Sequence, residues 1–351
     1  MNDSLVVNHV SEFIEIINSL LQREEQIAEE QKSRLQFMRD KEKSQNAANY
    51  YNTILTNRNT EKEQRFMPDK TNIFGEKTGH HRYKFFYRGH YKASYMLCPS
   101  VFRDNFWEYE DYFYHRIMVE RADAFRNTSH LDKLVTMQHY SCPTRLLDVT
   151  SNPLVALYFA CMNYGCEKCN SSMEGAVLVF PVPVQEISYA DSDRALMLSC
   201  LPRFSREEKD LLLQCANDSL TDKSFPQVKG GSRYRDSIVE RFYHEITTEI
   251  SSFKREIDPI DLLQPLFVQP NKTNGRIIKQ DGAFIINGLS KDRYEAKDKL
   301  DTMAYEIIYV HNQQSVLREL DLLGIHEASL FPEVDKMAEY LKLFVKNPIR
   351  V

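Results

Sequence analysis

Apolar residues between Val10 and Leu21 fall at positions 10, 13, 14, 16, 17, 20 and 21, which lines one face of a helix. Ser11 is the expected N-cap, and Glu15 supplies negative charge near the helix start. From Gln22 to about Glu63 the apolar pattern thins into a run dense in Glu, Gln, Lys and Arg. That composition predicts a charged helix or helical hairpin, in the plainest reading a solvated excursion. A sharper reading makes residues 22–65 a protein-partner or oligomerising arm, with Ile27, Leu35, Phe37 and Met38 as a narrow stripe. PDKTNIFGEKTG, from Pro68 to Gly79, is a turn-rich linker.

Beyond the linker the period changes. YKFFYRGHY is aromatic-rich with strand character, and a turn follows around Pro99. Helices are expected over Glu108–Phe125, His130–Gln138, Ser151–Tyr164, Arg203–Ala216 and Ser237–Phe253. In the third of these, Ser151 or Asn152 is the cap and Pro153 sits in the first turn, where a missing N–H costs nothing. GAVLVFPVP (Gly175–Pro183) is a buried strand, and Leu266–Pro270 and Tyr305–Val310 also read as strands. RIIKQDGAFIING reads as a short hairpin turning at Asp281–Gly282. Helices over Gln314–Leu323, ended by Gly324, and Val334–Val345 close the chain. Helices and strands intermingle without a βαβ rhythm, so the fold class is α+β. The expected organisation is an N-terminal helix (1–21), a charged helical insertion and linker (22–79) and a core with C-terminal helices (80–351).

With 351 residues and 42% hydrophobic content, a sizeable core can be buried. A net charge of −5 argues against wholesale electrostatic binding to nucleic acid or anionic lipid. The start, MNDSLVVNHVSEF, lacks a basic region and a long apolar run. Apolar stretches are too short to span a bilayer. Seven scattered Cys suit a reducing compartment. These features predict a cytoplasmic protein that does not engage a membrane.

The densest chemistry lies in MQHYSCPTRLLDVTSNPLVALYFA, Met137 to Ala160. His139, Tyr140, Thr144, Arg145, Asp148, Thr150 and Ser151 precede a helix N-terminus, where free N–H groups and the dipole favour an anion. Arg145 and Asp148 either pair with each other or face one pocket. Arg88 ends the FFYR strand and presents a planar fork suited to phosphate or carboxylate; Gly89 beside it admits a ligand or backbone. The bland alternative is an Arg145–Asp148 ion pair that holds the fold and a His139 satisfied in the core. Cys161, Cys166 and Cys169 include a CxxC pair, but with no second close pair no metal site is expected. Cys142 near His139 shows nothing that would lower a thiol pKa. Lys229-Gly230-Gly231-Ser232-Arg233 lacks the P-loop pattern and reads as a surface loop.

FFYRGHYKASYMLCPSVFR, MQHYSCPTRLLDVTSNPLVALYFAC and RIIKQDGAFIING resemble the three blocks of the FRG domain family, whose hallmark is here Tyr87-Arg88-Gly89. VSEFIEIINSL and LLGIHEASLFPEVD are similar to flanking parts of that family, which makes 22–75 look like an insertion. A second resemblance is to ADP-ribosyltransferases of the arginine–serine–glutamate kind. Tyr87-Arg88 resembles their first element, and Asp148-Val149-Thr150-Ser151 with Ala156 and Phe159 their second. Residues 276–284 resemble the third in shape, with Arg276 or Gln280 where a catalytic Glu is expected. This resemblance implies an ADP-ribosyltransferase-like mixed or antiparallel sheet with NAD as substrate. Arg88 would hold the pyrophosphate or ribose, Thr150 and Ser151 would brace the nicotinamide pocket, and Tyr87, Gly89, His139, Tyr140, Thr144 and Arg145 would line the site. Gln280 stands in the place of the acid, and Asp148 or Glu306 would replace it. A role as a toxin or antiviral defence effector follows by analogy. The competing expectation is a non-catalytic nucleotide-binding or protein-interaction module.

Overall fold

A computed structural model describes residues 5–23, 26, 27, 30, 83–162, 174–222 and 233–346. Most of the 22–79 segment, Cys166, Cys169 and residues 229–232 lie outside the described residues. The strands are β1 (Leu5–Val7), β2 (Tyr83–His90), β3 (Leu146–Thr150), β4 (Gly175–Pro183), β5 (Ser188–Tyr189), β6 (Leu266–Gln269), β7 (Gly282–Ile286) and β8 (Glu306–Val310). The first helices are α1 (Val10–Gln22), α2 (Glu110–Glu120), α3 (His130–His139), α4 (Pro153–Cys161), α5 (Asp193–Cys200), α6 (Arg206–Asp222) and α7 (Arg233–Glu249). They are followed by α8 (Pro259–Leu263), α9 (Gly275–Lys279), α10 (Arg293–Asp301), α11 (Gln313–Leu322), α12 (Glu327–Leu330) and α13 (Val334–Lys346).

All eight strands join one mixed sheet in the order β1-β8-β4-β2-β3-β7-β6-β5. The two outer pairs, β1 with β8 and β5 with β6, are parallel, and the inner pairs are antiparallel. The fold is thus α+β. Alternation along the strands sorts the core. On one face, Phe85, Tyr87, Val177, Val179 and Ile308 pack with α1, α4 and α11. On the same face of the other half-sheet, Leu146, Phe284, Ile286, Leu266 and Val268 pack with α2, α3 and α5 to α7. Phe86, Leu147, Val149, Phe180 and Ile285 turn the opposite way, onto Leu97, Leu300 and Ala304. The two helical layers of the first face therefore meet above the β2–β3 junction, where the register is Tyr87 opposite Thr150.

Several local expectations change. Helix α1 starts at Val10 with His9 at the N-cap, so Ser11 lies inside the first turn. Residues 276–279 are helical and not the first arm of a hairpin. The Asn274 side chain accepts from the Arg276 N–H and caps α9, and Asp281 at φ 46° turns the chain into β7. Ile277 is buried while Ile278 is half exposed, a one-sided burial that fits a helical turn. Strands β1 and β5 and helices α5, α8, α10 and α12 are additions to the pattern read from the sequence. No helix among the described residues is long and apolar enough to cross a membrane.

Candidate functional site

At the β2–β3 junction the ladder gives way to side chains. Arg88 Nη1 donates to the Asp148 carbonyl at 2.6 Å and lies 3.9 Å from the Asp148 carboxylate. Its Nε donates to His90 Nε2 at 3.0 Å. The Arg88 side chain is 16% exposed and that of Asp148 64%. The last turn of α3 delivers Gln138, whose amide donates to Asp148 Oδ2 at 2.6 Å and accepts from Thr144 Oγ1 at 2.7 Å. The result is a polar line, Thr144–Gln138–Asp148–Arg88–His90, that runs from a buried hydroxyl to solvent and back to a buried imidazole.

Electrostatics fix the protonation along this line. Burial pulls the Arg88 guanidinium down to about 10, with Asp148 pulling it back up and Arg103 pushing it down. Arg88 therefore stays a cation at neutral pH. Burial, then Arg88 and Arg103, hold His90 at about 3, so its ring is neutral. Since Nε2 accepts from Arg88, the proton sits on Nδ1. Among the described residues, both N–H groups of Arg88 Nη2 and one of Nη1 have no protein acceptor. A cation with spare donors beside an exposed carboxylate can hold an anionic group and present an acid to whatever is attached to it.

The other sequence-selected residues divide into distinct roles. Arg145 does not touch Asp148. It is buried and grips Glu110 through Nε at 2.9 Å and Nη2 at 2.5 Å, with Nη1 on the Asn287 carbonyl at 3.1 Å. Thr150 Oγ1 donates to the Gln280 carbonyl at 2.6 Å and accepts from the Asn152 N–H; Ser151 Oγ donates to the Asp281 carbonyl. These bonds clamp the end of β3 to the turn before β7. The Gln280 amide is occupied too, donating to the Leu330 carbonyl at 3.2 Å. His139 lies 3.4 Å from Glu333 and 3.4 Å from the Asn274 amide, with exposed Tyr140 packed edge-on against it. Tyr87 is buried under α4, and its phenol is pushed up to about 12 by burial. A Cβ on Gly89 would come within 2.0 Å of the Ala156 carbonyl oxygen, so this glycine admits the backbone of α4. Glu306 pairs with Val179 and faces away from Arg88, which pairs with Leu178.

Gln138, His90, Glu110 and Asn287 were not singled out by the sequence. Gln138 carried a usable signal, since it stands next to His139 at a helix end. Glu110 carried none, because its partner lies far along the chain. Cys142 is held above the ordinary thiol range by burial. Among the described residues, no group of three or more His, Cys, Asp or Glu is placed to hold a metal. Curated proteins and solved structures contain no match to this chain. Residues 83–168, which hold Arg88, Gln138, Arg145 and Asp148, match the family model of the FRG domain.

Proposed function

We propose that the FRG domain binds NAD, or a closely related nucleotide, at the Arg88–Asp148 edge and acts on it as an ADP-ribosyltransferase or NAD glycohydrolase. The observation that carries this reading is the 3.9 Å approach of the Arg88 guanidinium to a mostly exposed Asp148 carboxylate. Spare Arg88 donors suit the pyrophosphate, which is a dianion with planar oxygen pairs. Asp148, held by Gln138, faces the ribose carbon that bears nicotinamide. As the bond from that carbon to the nicotinamide nitrogen breaks, the electron pair leaves with nicotinamide and an oxocarbenium-like cation develops. A carboxylate stabilises such a cation and orients the incoming nucleophile, water or an acceptor side chain. Consumption of NAD or modification of a cellular component would make the protein a toxin or antiviral defence effector. An ADP-ribosyltransferase-like arrangement of the sheet belongs to this proposal.

A second reading has its own support. The Gln280 amide, at the position where the resemblance expects a catalytic Glu, is committed to the Leu330 carbonyl. A site with Arg88 and no productive acid would bind a nucleotide without turning it over.

NAD labelled in its adenylate portion, incubated with purified protein and cell lysate, tests both. Nicotinamide release or protein-bound label that is lost in Arg88→Ala and in Asp148→Asn is the expected result. Equilibrium binding of NAD without turnover, lost in Arg88→Ala alone, selects the binding module. Neither binding nor turnover by the wild type removes NAD from consideration.

A further inference from the structure

A second cluster lies apart from the Arg88 edge, in a small cavity lined by Trp107, Glu110, Arg145, Arg206, Lys209 and Ser290. Its charges do not balance. Arg145 and Lys209 are both buried, and both rest on the single carboxylate of Glu110, Lys209 Nζ at 2.8 Å from Oε2. Arg206 at the rim stacks on Trp107 at 3.9 Å and is matched by Asp210 at 2.8 Å. Asp111 also attracts Lys209 electrostatically, so the surplus positive charge among the buried groups is only partly offset, and an incompletely compensated buried charge is costly.

The hydrogen-bond inventory is lopsided in the same direction. Of five Arg145 N–H groups, three have protein acceptors; of three on Lys209, one does. Ser290 Oγ accepts from Asn287 and Lys299, at 3.3 and 3.4 Å, and its own O–H has no acceptor among the described residues. Buried donors around this space thus outnumber the protein acceptors they engage. A water could accept from two of them and would leave the charge uncorrected. The space itself is close to that of a single water or small ion.

We propose that this cavity is a binding site for a compact monovalent anion, halide-like in size, held by Lys209, Arg145 and Ser290. The anion neutralises the surplus cation and ties α6 to α2 and to the start of β3. Arg206 and Trp107 form the wall through which it enters.

The test uses the full chain in halide-free gluconate buffer, compared with sodium bromide at the same ionic strength. The thermal midpoint should rise by roughly 2 °C when bromide is tenfold above its dissociation constant. Lys209→Met keeps the Arg145–Glu110 pair and should abolish that rise, while Lys272→Met, at an exposed lysine elsewhere, should keep it. Anomalous diffraction from bromide-soaked wild-type crystals should place an ion beside Lys209 Nζ, and this decides the matter if Lys209→Met does not fold. Equal midpoints in gluconate and bromide, a bromide effect undiminished in Lys209→Met, or no anomalous peak in the cavity would overturn the proposal.

Discussion

Arg145 holds Glu110 through two parallel hydrogen bonds of 2.9 and 2.5 Å, while Asp148, its near neighbour in sequence, lies against Arg88. One short stretch of chain thus serves two purposes. Its arginine is sealed into the protein, and its aspartate is left facing solvent.

Removing the buried acid should be far more damaging than removing the exposed one. Glu110→Gln deprives Arg145 and Lys209 of the buried carboxylate they share and should cost about 3–5 kcal/mol. Asp148→Asn, at a side chain 64% exposed, should cost under about 1 kcal/mol. Urea denaturation of the two variants beside the wild type checks the contrast. Comparable losses would mean that the Glu110 cluster does not anchor the fold.

Acid should attack the same cluster. Burial opposes ionisation of Glu110, but Arg145 and Lys209 overcome it and hold the carboxyl at about 2, against an ordinary 4.5. A depressed carboxylate contributes stability that is present above its unfolded value and is lost as pH falls through its folded value. The Glu110 contribution is therefore intact above about pH 4.5 and disappears towards pH 2. Unfolding followed by circular dichroism across that window should show a loss that Glu110→Gln lacks.

Two histidines set a separate, milder pH dependence. Burial, with nearby cations, holds His90 at about 3 and His130 at about 4, against 6.5 for an ordinary histidine. The unfolded chain binds protons there first, so stability is full above about pH 6.5 and declines as pH falls towards those values. Glu249, pushed up by burial, opposes the decline at the acidic end. The slope should not exceed about 1.4 kcal/mol per pH unit for each histidine. Urea midpoints at pH 7, 6 and 5 should fall, and His90→Gln, which keeps an acceptor for Arg88, should flatten the fall. A profile that is level from pH 7 to 5 would contradict neutral, buried imidazoles.

What the sequence made legible follows from the range of the interactions. Local signals were readable: the Pro153 helix with its Asn152 cap, and the long strand β4. The strand character of the aromatic-rich YKFFYRGHY segment was readable too, because composition, spacing and capping are near-neighbour effects. Residues 276–279 misled because Ile277 and Ile278 suit a strand, whereas the Asn274 cap and a strand partner already committed elsewhere decide for a helix. The site was legible in membership and not in pairing. Arg88, Arg145 and Asp148 stood out as types, yet nothing in spacing reveals that Arg145 seeks Glu110 in α2, or that Gln138 braces Asp148.

Gly89 provides a clean separation of folding from binding. A Cβ there would lie 2.0 Å from the Ala156 carbonyl oxygen and 2.6 Å from the Ala160 nitrogen, both backbone atoms of α4 that cannot swing aside. Gly89→Ala should cost about 3 kcal/mol, the upper end for overpacking. Expression yield and urea midpoint check it. A variant that folds normally and loses only ligand would show that Gly89 serves the ligand and not the helix.

Arg88 should not be replaceable by lysine. Its Nε serves His90 while Nη1 serves the Asp148 carbonyl, and these directions are set by the planar guanidinium. A lysine ammonium at the end of a four-carbon stem reaches one of these acceptors at most and leaves the other buried or reoriented. Arg88→Lys keeps the charge, so any purely electrostatic attraction for an anion survives in it. If the fork matters, nucleotide binding measured by calorimetry should weaken tenfold or more in Arg88→Lys, with the urea midpoint lowered by loss of the two internal bonds. Affinity preserved in Arg88→Lys would reduce the role of Arg88 to a point charge and detach the ligand from the geometry of the β2–β3 junction.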